Sequence, residues 1–425
     1  MISSVSPSSS HQGRVLVPGD KSASHRALIL SSLAPGFSSI YGINEGADVK
    51  ATAEALRHMG ASVSPVGREV TVEGPSAGLH ASASPLDFGN SGTGMRLVAG
   101  LVCGVPGNHV LVGDASLMRR PMNRIGEPLR LMGAEFSGEG ENETAPLHIG
   151  GRRPLHGIDF RVPVPSAQVK SAILLAGLNA DSPSTIHEAV RTRTTTEDML
   201  GQAGVVVVST DGSAGRSVTV HPGRPNPHEW HIPGDPSQAA FFVVLGLISQ
   251  LGSIEVPHVD LSPERRGFID VLLRMGGKIG IDTESGTISS FTSSLVSTEI
   301  WSHEIPSVDE VPILVVAAAA ATGSTRFIEM DELRHKESDR FAGAVELARL
   351  LGCAVTVDGD SFVVEGLGSA SRFKPFRINA RLDHRFVMSS AIAGSAGSGA
   401  TIEGSDTVAS SYPSFFSDLE RCAGL

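Results

Sequence analysis

The sequence predicts an α/β protein of two domains, each built from three repeated units. Three observations carry that reading. A polar turn followed by an apolar, small-residue-rich helical run occurs six times. The copies are GDKSASHRALILSSL from Gly19, GNSGTGMRLVAGLV from Gly89, PSAQVKSAILLAGL from Pro165, GDPSQAAFFVVLGLI from Gly234, VDEVPILVVAAAAATG from Val308 and LDHRFVMSSAIAGSAG from Leu382. Their starts lie 70, 76, 69, 74 and 74 residues apart, a period that marks an internal repeat. A second marker keeps the same beat: a helix closed by glycine recurs at Gly60, Gly133, Gly204, Gly276, Gly352 and Gly424. Thirdly, the last copy stops at Gly424 and Leu425 before any hairpin, while an orphan strand, GRVLVP, precedes the first copy.

Each element follows from local chemistry. The polar turn supplies Asp, Ser or Gly where a helix needs an N-cap, and the small apolar run continues as the helix. The second helix ends at its glycine because the C′ position favours a left-handed backbone. Segments such as ASVSPVGREVTVEG and CAVTVDGDSFVVEG then alternate Val, Ile and Thr about short turns, which is hairpin chemistry. A unit therefore reads as helix, strand, helix, hairpin. If the N-terminal segment completes the sixth unit, residues 20–234 form an inserted domain of three repeats. Residues 235–425 with 1–19 form the other, discontinuous one, with a hinge near 19 and 234. A continuous solenoid would not need its N-terminus to finish its last unit.

Length and composition bound the function. A chain of 425 residues that is 40% hydrophobic can build large cores, and a net charge of −11 argues against a nucleic-acid partner. Of 34 basic residues only six are lysine, a bias that suits bidentate binding of phosphate and carboxylate. A GC-rich genome gives the same bias. Cys103, Cys353 and Cys422 are too few and too scattered for a disulfide framework or a zinc site. Cys103 and Cys353 read as small core residues. The N-terminus, MISSVSPSSSHQ, lacks a signal-peptide pattern. The longest apolar run, Val311 to Thr322, is short of the ~20 residues that span a bilayer. The expectation is a soluble protein of the reducing cytoplasm, with no membrane partner.

The six turns occupy equivalent helix N-termini, where backbone N–H groups and the helix dipole favour anions. Lys21, Ser22 and Arg26 share the first turn; Gly92 and Arg96 follow the second; Ser166, Ala167 and Gln168 form the third. Arg120 and Arg193 lie between copies, as does the stretch from Arg334 to Arg340 (RHKESDR), and the sixth turn carries Asp383, His384 and Arg385. Taken singly, each also reads as an N-cap, a solvated charge or a satisfied core pair. GNSGTG lacks the Gly-Lys-Ser/Thr ending of a P-loop, and no HExxH or CxxC motif supports a metal. Together, cations at equivalent ends of repeated units in an acidic chain predict an enzyme that closes on multiply anionic small molecules. Glu337 and Asp309 are the acid–base candidates among the cations.

The motifs GDKSASHR, GNSGTGMR, SLMRRPM, SAQVKSA, Lys336-Glu337-Ser338-Asp339-Arg340, DHR and SYPSFFSDL, in that order from about residue 15 to 420, resemble 5-enolpyruvylshikimate-3-phosphate synthase. The resemblance implies a monomer of two domains, each of three βαβαββ units, in an inside-out α/β barrel arrangement with the active site in the cleft between them. It also implies transfer of the enolpyruvyl group of phosphoenolpyruvate to the 5-hydroxyl of shikimate 3-phosphate by addition and elimination, without a cofactor or metal. Carried over by motif, Lys21, Ser22, Arg26, Ser166, Ala167, Gln168, Arg193, Asp309 and Lys336 would hold shikimate 3-phosphate. Lys21, Gly92, Arg120, Gln168, Arg340 and Arg385 would hold phosphoenolpyruvate. Lys21, Asp309, Glu337 and His384 form the expected catalytic set: Glu337 moves a proton at the methylene carbon, Asp309 orients or deprotonates the hydroxyl, and His384 assists the leaving phosphate.

Departures from the family pattern carry their own expectations. Ser166-Ala167-Gln168 replaces a Ser-Ser-Gln, removing one hydroxyl from the phosphate site. Leu97 stands where some members have Pro, and Ser410 where some have a Lys before Thr-Phe-Pro, which resembles the branch containing glyphosate-tolerant enzymes. Gly92, where the best-known tolerant members have Ala, predicts a partly glyphosate-sensitive enzyme. Two rivals are an enolpyruvyl transferase acting on UDP-N-acetylglucosamine and a non-catalytic anion-binding relative. The first wants a Lys-Asn pair and a reactive cysteine, and here Lys21 is followed by Ser22 with no cysteine near Arg119 and Arg120. The second predicts loss of Glu337, Asp309 and His384, and all three are present.

Overall fold

The computed structural model describes residues 1–213, 215–305 and 308–424. In chain order the repeats contribute two α-helices each: α1 (Lys21–Leu33) and α2 (Ala47–His58), α3 (Gly92–Cys103) and α4 (Asn123–Leu131), α5 (Ala167–Gly177) and α6 (Thr195–Gln202), α7 (Pro236–Ile248) and α8 (Gly267–Arg274), α9 (Val311–Ala320) and α10 (Arg340–Leu351), α11 (His384–Ala396) and α12 (Phe415–Ala423). The two kinds of helix differ in what they bury. Every residue of α7, α9 and α11 is buried, so apart from Gln238 in α7 and His384 and Arg385 at the start of α11 these helices are apolar or small, as enclosed helices must be. α12 buries only Phe415, Asp418, Leu419 and Cys422, one face at helical spacing.

Helix starts and stops obey the expected chemistry. Asp20, Ser91, Ser166, Asp235 and Asp383 each accept a backbone N–H at the start of α1, α3, α5, α7 and α11. The six marker glycines, Gly60, Gly133, Gly204, Gly276, Gly352 and Gly424, all have positive φ, between 73° and 105°, the backbone region that disfavours a side chain.

Each repeat adds a small mixed sheet. In the second, Leu86–Asp87 runs parallel to Gly107–Val112, which pairs antiparallel with Thr144–Gly151, and that with Glu135–Glu139. The order strand, helix, strand, helix, two strands is thus the βαβαββ unit, and the fold is mixed α/β throughout the described residues. Thr144–Gly151 forms a hairpin with Glu135–Glu139 and buries Ala145, Leu147 and Ile149.

The chain divides into two units, Gly19–Ile232 and Met1–Pro18 with Pro233–Leu425. In Gly19–Ile232 the first repeat takes its leading strand from the unit's far end, where Glu229–His231 pairs parallel with Gly36–Tyr41. In the other unit, Ser10–Arg14 pairs parallel with Leu251–Val256, and Ile2–Val5 pairs antiparallel with Ala400–Glu403 of the sixth repeat. The strand is Ser10–Arg14, which overlaps GRVLVP only at Gly13 and Arg14: after the Val15 N–H donates to the Glu255 carbonyl at 2.9 Å the chain leaves the ladder, with Val15 and Val17 buried in the core. Each unit has its own core, one running from Ala23 to Trp230, the other joining Val15 and Val17 to residues between Ala239 and Cys422. Cys103, Cys353 and Cys422 are all buried free thiols, and burial pushes Cys103 up to about 12.

Candidate functional site

The candidate residues fall into two sets, one in each unit. In Gly19–Ile232 the first set gathers at the N-termini of α1, α3 and α5. Asp20 caps α1, and Lys21 at the first helical position meets Asp48 of α2, Nζ to Oδ2 at 2.9 Å. One turn on, Arg26 is 4% exposed and reaches the third repeat. Its Nε donates to Thr196 Oγ1 at 2.6 Å and its Nη2 to Ser171 Oγ at 2.9 Å, while Nη1 returns to the Ser22 carbonyl at 2.8 Å. Two hydroxyls and a backbone carbonyl thus fix the plane of the guanidinium. Beneath it His25 joins Thr52 Oγ1 at 2.8 Å and Ser91 Oγ at 3.4 Å. Burial, with the charges of Lys21 and Arg26 adding to it, lowers the His25 imidazole to about 3, so it is neutral.

Gln168 ties the second repeat to the third. Its amide donates to Thr93 Oγ1 at 3.0 Å and accepts from Arg96 Nη1 at 2.8 Å. Ser166 caps α5 through the Val169 N–H, which leaves Ala167 at the helix start, where N–H groups lack intrahelical partners. Arg120 donates to the Asn90 side-chain oxygen. A Cβ on Gly92 would lie 2.9 Å from Arg120 Nη1 and 3.1 Å from Arg96 Nη1, so the bare glycine lets both guanidinium groups lie over the start of α3. Arg193 is half-buried in the loop between Ser184–Glu188 and α6.

In the other unit the candidates converge on Arg340, which is 1% exposed. Its Nη1 donates to Asp309 Oδ1 at 2.7 Å, its Nε to Asp383 Oδ2 at 2.8 Å, and its Nη2 lies 2.5 Å from Glu337 Oε2. Ser338 Oγ also donates to Asp383, at 2.9 Å. Asp383 is both the cap of α11 and a buried counter-ion. Burial opposes ionisation of Asp309, but the charges of Arg385, Arg340 and Lys336 outweigh it and hold the carboxyl well below the usual carboxylate range, with Glu337 acting against them. Arg385 Nη2 lies 3.7 Å from Asp309 and its Nη1 donates to the Ser237 carbonyl at 3.1 Å. Lys336 pairs with Glu332 at 2.6 Å, and His384 is buried at the start of α11. The Arg334 to Arg340 stretch runs from the end of the helical turn Asp331–His335 through the irregular residues Lys336 to Asp339 into the start of α10.

Sequence reasoning missed the partners. Asp48 and Thr196 hold Lys21 and Arg26 without standing out in the sequence, and Ser171 and Asp383, although inside SAQVKSA and DHR, carry no local sign of the arginine each meets. Lys170 was also passed over inside SAQVKSA, although a charge in an apolar helix signals a buried partner. Among the described residues no group of three His, Cys, Asp or Glu side chains is placed to hold a metal ion. No helix among them is long and apolar enough to cross a membrane.

This geometry can be set beside known proteins. Residues 5–419 match the family model of EPSP synthase (3-phosphoshikimate 1-carboxyvinyltransferase). The chain is 42% identical to a 3-phosphoshikimate 1-carboxyvinyltransferase of Synechococcus sp. strain WH7803, over 96% of this chain and 95% of that one. It is 39% identical to the protein of that name in Streptococcus equi subsp. equi strain 4047, over 96% and 97%. Among solved structures it is similar to EPSP synthase from Acinetobacter baumannii, with a TM-score of 0.86 and 37% identity over 99% of this chain and 98% of that one. The enolpyruvyl transferase NikO of Streptomyces tendae shares the fold, with a TM-score of 0.78 at 17% identity over 99% and 97%.

Proposed function

The chain belongs to the EPSP synthase family, and on that premise we propose how its residues divide the work. The enzyme transfers the enolpyruvyl group of phosphoenolpyruvate to the 5-hydroxyl of shikimate 3-phosphate and releases phosphate, a step toward aromatic amino acids. The observation that carries the division is the Arg340 hub, which gathers Asp309, Glu337 and Asp383 on one buried guanidinium.

Lys21, Ser22, Arg26, Ser166, Ala167, Gln168 and Arg193 hold shikimate 3-phosphate in this reading, with Asp309 and Lys336 supplied by the other unit. Arg26 suits the phosphate because a guanidinium held in a fixed plane can meet phosphate oxygens with two parallel hydrogen bonds. Gly92, Arg120, Gln168, Arg340, Arg385 and Lys21 hold phosphoenolpyruvate. Both sets are needed for one turnover, so the reading also takes the chain crossings near 19 and 234 as a hinge. A monomer in the cytoplasm belongs to the same reading.

In the addition step the substrate 5-oxygen bonds to C2 as the methylene carbon takes a proton, and the hydroxyl gives one up. Glu337 supplies the carbon-bound proton. Asp309 orients the hydroxyl rather than capturing its proton, because a carboxylate held so far below its usual range is a weak base, and the hydroxyl proton passes to an oxygen of the phosphate, which leaves carrying it. In the elimination step the C2–oxygen bond to phosphate breaks, phosphate leaves with the help of His384 and Lys21, and Glu337 takes a proton back from the methyl group. The cations offset the charge that moves onto phosphate oxygens. Turnover in deuterated water tests this: deuterium should enter the vinyl methylene only when shikimate 3-phosphate is present, and Glu337→Gln should suppress it. Incorporation that persists in Glu337→Gln would assign the proton to another group.

A further inference from the structure

Lys170 lies in α5 with its side chain wholly buried, two residues beyond Gln168. Its ammonium meets two carboxylates, Glu188 Oε2 and Glu197 Oε1, each at 2.8 Å, and these side chains are 1% and 4% exposed. The two acids bracket one segment. Glu188 ends the strand Ser184–Glu188, Glu197 lies in the first turn of α6, and the loop between them carries Arg193. Thr192 of that loop also donates its hydroxyl to Glu188. Glu197 accepts no hydrogen bond among the described residues, so its charge is answered by the ammonium.

The neighbours of this triad in the chain are the partners of Arg26. Ser171 follows Lys170 and Thr196 precedes Glu197, and both accept hydrogen bonds from the Arg26 guanidinium. Their hydroxyls also lie 2.6 Å from each other. A single ammonium therefore fastens both ends of the loop to α5, and with them the two hydroxyls that aim Arg26.

We propose that Lys170 is a positioning residue for shikimate 3-phosphate: its buried pairs with Glu188 and Glu197 clamp the 189–196 segment so that Arg193 and Arg26 stand where the substrate needs them. The inference rests on reading those two arginines as shikimate 3-phosphate ligands. Two carboxylates held by one ammonium fix geometry more than they add stability, since burying an ion pair roughly offsets its own gain. Loosening the clamp removes binding that ground state and transition state share, which raises KM and spares kcat.

The test compares wild type, Lys170→Met, and the triple variant Lys170→Met/Glu188→Gln/Glu197→Gln, which removes the clamp without leaving buried charges unpaired. Hydrogen exchange over 189–196 is measured without substrate, alongside the KM for each substrate and the melting temperature. The expected result is faster exchange in both variants and a KM for shikimate 3-phosphate raised roughly tenfold or more, with the phosphoenolpyruvate KM nearly unchanged. The KM rise should persist in the triple variant even where its melting temperature recovers. Wild-type exchange and an unchanged shikimate 3-phosphate KM in the triple variant would overturn the clamp. If wild type itself fails to bind shikimate 3-phosphate, the ligand reading fails instead, and the exchange result still decides whether Lys170 holds the loop.

Discussion

Arg340 donates from Nη1 to Asp309 at 2.7 Å, from a position that is 1% exposed. The same guanidinium neutralises Asp383, which is fully buried, so it holds a catalytic candidate and a helix cap in register. Arg340→Met should therefore destabilise the unit containing Pro233–Leu425 by about 3–5 kcal/mol, because it leaves a buried carboxylate unpaired. Arg340→Lys keeps the charge but loses the fork, and should retain more stability than activity. Calorimetry with steady-state kinetics separates the two effects.

Asp309 is ionised throughout the working range, because Arg385, Arg340 and Lys336 together overcome the cost of its burial. Asp309→Asn should lower kcat by about 10²-fold or more through lost orientation of the hydroxyl. The acid limb of the kcat/KM profile should stay where it is in wild type, since Asp309 does not titrate there. A limb that disappears in Asp309→Asn would make Asp309 the titrating base.

Two buried histidines tie stability to pH. His11 bridges Ser395 and Ser249 at 2.7 and 2.8 Å, and burial lowers it to about 4. His25 is lowered to about 3. Folded pKa values below the unfolded value of 6.5 mean that the unfolded chain binds more protons. Stability is then full above about pH 6.5 and falls as pH drops toward the folded values. At pH 5 each histidine should cost about 2 kcal/mol relative to neutral pH. His11 lies in one unit and His25 in the other. His11→Gln should thus flatten the pH dependence of only the unit containing Met1–Pro18, readable by scanning calorimetry between pH 7.5 and 5.

Gly92 faces two guanidinium ends. A methyl group there would meet Arg120 Nη1 at 2.9 Å and Arg96 Nη1 at 3.1 Å, with Leu117 at 3.7 Å. Flexible side-chain ends can yield, so Gly92→Ala should fold with nearly wild-type stability. The phosphoenolpyruvate KM should rise several-fold, or roughly 1 kcal/mol of uniform binding, and glyphosate inhibition should weaken by more. Inhibition assays on the wild type and the variant at matched phosphoenolpyruvate check both.

Much of this architecture was readable in the chain because its markers are local. A positive-φ glycine closes six helices at Gly60, Gly133, Gly204, Gly276, Gly352 and Gly424, and an Asp or Ser cap opens five of the others. The first strand of each repeat was not legible: Leu86–Asp87 and Glu229–His231 are too short to show an alternating pattern. The pairing of Glu229–His231 with Gly36–Tyr41 joins segments that no local signal connects. At the site, the cations stood out by motif, whereas Asp48 and Thr196 are identified only by the contacts the fold brings about, and Asp383, visible in DHR, shows its pairing with Arg340 only there.

The central claim is that the chain turns over phosphoenolpyruvate on shikimate 3-phosphate with Glu337 moving the proton. Phosphate release from phosphoenolpyruvate, with and without shikimate 3-phosphate, for wild type and Glu337→Gln, tests it most directly. The account predicts release that requires shikimate 3-phosphate and collapses in the variant. Tight binding of shikimate 3-phosphate without any phosphate release by the wild type would contradict it.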